Sequence, residues 1–235
     1  GSIEVQSNTG AGVLSPLERL ARGGFYAVSP AGTRLTREQF DPMVFAPLVE
    51  AATGLRLSGD VRLSFNAFDG SDIDRWPSDP TNALVIEEMR DYRVLSEFPV
   101  LLDKPGTLST FSIAPTSQVS AGTRIRSYAV LFNPGSSGGE KQCRGEVTFE
   151  GEVLGVIINH SQGMAFINAS GNESNRVLWD NTPRSRAWPE DGDGGDREDS
   201  LVLKADGRTL AFNFTVNSES DMFRVIVREP TGDQP

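Results

Sequence analysis

The chain has 235 residues, one cysteine, one histidine and a formal net charge of −10. Such an acidic surface repels a phosphate backbone and disfavours anionic membranes, which argues against nucleic-acid partners. A lone Cys143 rules out an intrachain disulfide, and no run of about 18 apolar residues offers a spanning helix.

Residues 1–12 are polar and Gly-rich and read as loose chain. Ser15-Pro16-Leu17-Glu18 has the form of a capping box, with Gly23-Gly24 as its stop. Thr36-Arg37-Glu38-Gln39 is a second helix start. Asp41-Pro42 is a third, with Phe45, Leu48 and Val49 on one face and Gly54 as its stop. Residues 1–54 are therefore expected to be a tail and short helices capping a sheet. Residues 55–235 are expected to form one β domain.

Period-two alternation begins beyond Leu55. Val61, Leu63, Phe65 and Ala67 oppose Arg62, Ser64 and Asn66. Leu84-Val85-Ile86 reads as a strand that Glu87-Glu88-Met89 interrupts, and further strands follow at Tyr92–Leu95, Pro99–Leu102 and Leu108–Ile113. Thr123–Phe132 is the clearest long strand. Glu150-Gly151-Glu152 reads as a tight hairpin joining Glu146–Phe149 to Val153–Ile158, and the second of these is apolar on both faces, as a central buried strand would be. Asp206-Gly207 is the strongest hairpin signal, with Phe212 and Phe214 on one face of the strand that follows. These roughly ten to twelve strands point to an all-β fold, an antiparallel β-sandwich or jelly roll with a short helical N-terminal cap.

Candidate chemistry is sparse. Asp191, Asp193, Asp196, Glu198 and Asp199 are interleaved with glycines, and calcium prefers several oxygens from a flexible loop. The spacing is not that of an EF-hand, since Asp196 stands where that loop needs Gly and Val202 where it needs Glu. Asp69, Asp72, Asp74 and Asp79 form a sparser acidic stretch. Gly135-Ser136-Ser137-Gly138-Gly139 formally matches a nucleophile elbow, but no good helix follows and no base is placed for it. His160 reads as a hydrogen-bonded loop residue. Glu87, Glu88, Glu146, Glu150 and Glu152 lie on or beside strands, where a pair could serve glycoside cleavage. Arg124, Arg126 and Tyr128 share one strand and could recognise an acidic sugar. Trp76, Trp179 and Trp188 sit in or beside long loops, where they suit sugar stacking or anchoring under a loop.

Three stretches resemble a domain that recurs in exported bacterial proteins of undefined function: Ala121–Pro134, Gly145–Ile157 and Asp221–Ile226. The resemblance implies a β-rich fold and a secreted, periplasmic or cell-surface location. It carries no catalytic residue across. The chain opens Gly1-Ser2 without Met, which reads as a trimmed start compatible with a removed leader. The leading expectation is a non-catalytic binding or structural module with calcium in the Asp191–Asp199 stretch and a glycan or protein partner. A polysaccharide hydrolase or lyase on the same fold is the first alternative, and a subunit of a surface assembly the second.

Overall fold

The computed structural model describes residues 53–64, 78–108, 115–135, 139–158, 160–170, 199–216 and 221–230, together with three short strands nearer the N-terminus. It divides into two compact units, residues 1–56 with 65–67, and 57–64 with 68–235. In the first unit, β1 (Glu4–Ser7), β2 (Phe25–Val28) and β3 (Arg34–Leu35) form a three-stranded antiparallel sheet. Extended backbone at Glu4–Ser7 replaces the loose chain expected there. The helix starts at Ser15, Thr36 and Asp41 lie outside the described residues. Gly54, expected as a helix stop, has the left-handed backbone that suits one (φ 68°).

The second unit is mostly β. One five-stranded sheet runs β12 (Val153–Ile157), β15 (Asp221–Arg228), β10 (Arg124–Phe132), β6 (Ala83–Arg93), β5 (Val61–Leu63). The other runs β4 (Arg56–Gly59), β11 (Lys141–Thr148), β14 (Thr209–Val216), β13 (Ser200–Leu203), β8 (Gly106–Leu108). A two-stranded ribbon pairs β7 (Phe98–Val100) with β9 (Ser117–Val119). The pairs β12–β15, β15–β10, β10–β6, β11–β14, β14–β13, β13–β8 and β7–β9 are antiparallel, whereas β5 and β6 run parallel. That one pair departs from the wholly antiparallel sheet expected.

Phe132 and Phe223 of the first sheet meet Phe212 and Phe214 of the second, with ring centroids 5.6–6.1 Å apart. These rings exclude water because side-chain alternation sends each of them to the inner face of its strand. The outer face of the first sheet carries Met89, Ile125, Ile157 and Ile226. They pack with Phe98 and Val119 of the ribbon and with Phe166 of α1 (His160–Ser170). Helix α1 stands where a loop was expected around His160. Among the described residues no helix is long and apolar enough to cross a membrane.

Three other expectations change. β6 runs through Glu87 and Glu88 without a break, because Glu88 finds a buried cation on the next strand but one. Glu150-Gly151-Glu152 is no hairpin: β11 and β12 belong to different sheets, and the segment carries the chain between them. Gly151 makes that passage feasible, since a Cβ there would overlap the Arg228 carbonyl oxygen. β12 is buried as expected, but it lies at the end of its sheet's strand order, with Leu101 bridged to Val156 through N–H···O bonds of 2.9 and 2.7 Å. By contrast the Asp206-Gly207 turn is as expected. Asp206 Oδ1 accepts the N–H groups of Arg208 and Thr209 at 2.9 Å each, and Gly207 takes φ 65°.

Candidate functional site

The first sheet gathers charge at one end. Strand β6 ends there, β10 begins there and β15 ends there, because β10 runs antiparallel to both neighbours. Glu87 accepts two N–H groups from Arg90, at 3.0 and 2.7 Å. Arg126 donates to Glu229 through Nε at 2.8 Å and to Glu150 at 3.2 Å. Arg124 donates through Nε to Asp91 at 2.7 Å, and Arg228 donates to Glu152 at 2.9 Å. The Asp91 N–H in turn donates to Glu229 Oε2 at 2.8 Å, from a left-handed backbone at φ 53°. Guanidinium forks and carboxylates thus link β6, β10, β15 and the passage between the two sheets.

The expected recognition face of Arg124, Arg126 and Tyr128 is placed at this rim, but not as a row of exposed groups. Two register shifts place extra residues in β6 opposite Ile125–Tyr128, while β10 keeps a regular register with β15, so Arg126 and Tyr128 share the inner face of the sheet. Arg124 is exposed, Arg126 is nearly covered, and Tyr128 is buried with its ring 5.1 Å from Phe149. Burial and the nearby Glu87 charge hold the Tyr128 hydroxyl well above its ordinary titration range. Burial works against the Arg126 charge, but Glu229 and Tyr128 more than offset it and keep the guanidinium protonated. Glu87 lies above the ordinary glutamate value of 4.5 because burial outweighs the opposing hydrogen bonds and charge of Arg90.

A second cluster lies on the outer face. Arg224 donates to both Glu88 oxygens, at 2.6 and 2.9 Å, and the Ser127 hydroxyl donates to Glu88 at 2.6 Å. The Phe166 ring of α1 lies 5.3 Å from the Arg224 guanidinium. Nothing in the sequence joins Glu88 to Arg224, which are 136 positions apart.

All five strand glutamates considered for glycoside cleavage are ion-paired. Glu87 meets Arg90, Glu88 meets Arg224, Glu146 meets Lys204, Glu150 meets Arg126 and Glu152 meets Arg228. Cys143 is buried with its Sγ–H on the Asp60 carbonyl oxygen, and burial pushes its thiol up to about 12, which removes it as a nucleophile near neutrality.

Trp76, Trp179 and Trp188 lie outside the described residues, as do Asp191, Asp193, Asp196, Glu198 and the Ser137 loop. Of the calcium set only Asp199 is described: it is buried, and its Oδ1 accepts the Thr215 N–H at 2.6 Å. Asp79, of the sparser acidic stretch, accepts the N–H groups of Thr81 and Asn82 at 2.9 Å each. Among the described residues no three His, Cys, Asp or Glu side chains are grouped to hold a metal. Sequence reasoning missed Glu229 and Arg93 at the rim. Glu229 had no signal, since its partner Arg126 is 103 positions away.

No family model, no curated protein and no solved structure matches this chain.

Proposed function

We propose that the chain is a non-catalytic binding or structural module of an exported bacterial protein, built as a β-sandwich of jelly-roll type. Contact between the phenylalanines of the two five-stranded sheets supports the sandwich reading. One observation carries the functional reading: each of the five strand glutamates that could have served as acid, base or nucleophile is held by an arginine or lysine. A glycosidase needs one protonated carboxyl and one ionised carboxylate facing the same bond. Glu87 is shifted in the direction a general acid requires, yet its carboxylate is engaged by the Arg90 fork.

The test is a glycan array beside a reducing-sugar assay on neutral and acidic polysaccharides. The module reading expects glycan retention with no release of reducing ends. Steady release that is lost in Glu87→Gln would replace it with the hydrolase reading. Calcium enters the proposal through the Asp191–Asp199 stretch, whose carboxylates would otherwise repel one another. In that role calcium at about millimolar concentration raises Tm and a chelator reverses the rise. An unchanged Tm removes calcium from the proposal.

A further inference from the structure

We draw no further inference here: the strongest candidate, the apolar patch of Leu84, Ile86, Ala129, Leu131 and Met222 on the outer face of the first sheet, carries nothing, because nothing among the described residues shows what covers it.

Discussion

Glu87 and Glu88 are adjacent on one strand, yet their surroundings share almost nothing. Glu88 is 0% exposed and is forked by an Arg224 that is itself 3% exposed, beneath the Phe166 ring. Glu87 stands at the rim with Arg90, its side chain 10% exposed, beside a network that runs through Arg126 to Glu229. Strand alternation accounts for the divergence, since consecutive side chains leave opposite faces. The energetic consequence differs in kind. A fully buried charge that loses its partner has neither water nor a counter-ion, whereas a partly covered rim charge keeps a route to water.

The largest effect that could break this contrast is at Arg224. Arg224→Ala strands the Glu88 carboxylate in the interior and should cost about 3–5 kcal/mol in urea unfolding. Replacing both partners with methionine should recover most of that loss; a cost below about 1 kcal/mol for the single variant would show that the pair is not desolvated. Next comes Gly151→Ala, which disturbs the passage bearing Glu150 and Glu152 without altering any charge. Its Cβ would overlap the Arg228 carbonyl oxygen, and a loss of about 1–3 kcal/mol is expected from thermal or urea melts.

Glu87→Gln sharpens the contrast through pH. The folded Glu87 carboxyl titrates above its ordinary value of 4.5, so folding favours its protonated form. Its contribution to stability is fully present below the unfolded value and is lost as pH rises through the folded one. Glutamine does not titrate, so Tm of the variant relative to the natural chain should improve as pH rises across that window. A difference that does not change with pH would show that Glu87 titrates as it does in the unfolded chain. The smallest effect belongs to Glu152→Gln. Both Glu152 and Arg228 have side chains more than half exposed, at 59% and 52%, so at most about 1 kcal/mol is expected, vanishing in about 1 M salt.

Legibility in the sequence followed the distance over which each feature is decided. The Asp206-Gly207 turn was readable because its chemistry closes within a few residues: carboxylate to N–H, and glycine at positive φ. Phe212 and Phe214 were readable as one face because alternation is local. Helix α1 was not, since Gly163, Asn168 and Ser170 are weak helix formers. Tertiary contacts support it instead: Phe166 on Phe98 with ring centroids 5.1 Å apart, and the Tyr92 hydroxyl donating to the Ser170 carbonyl at 2.8 Å. Arg124, Arg126 and Tyr128 were visible as polar groups on a strand. That Tyr128 is buried and Arg126 nearly so could not be seen, because the packing of Tyr128 on Phe149 and the distant Glu229 decide it.

By itself, then, the sequence determined where this backbone is extended and where several of its turns fall, because side-chain alternation and turn preferences act within a few residues. Tertiary structure alone decided that β11 and β12 join different sheets and that Glu88 meets Arg224. Those outcomes depend on pairing between segments far apart in the chain, which no local pattern encodes.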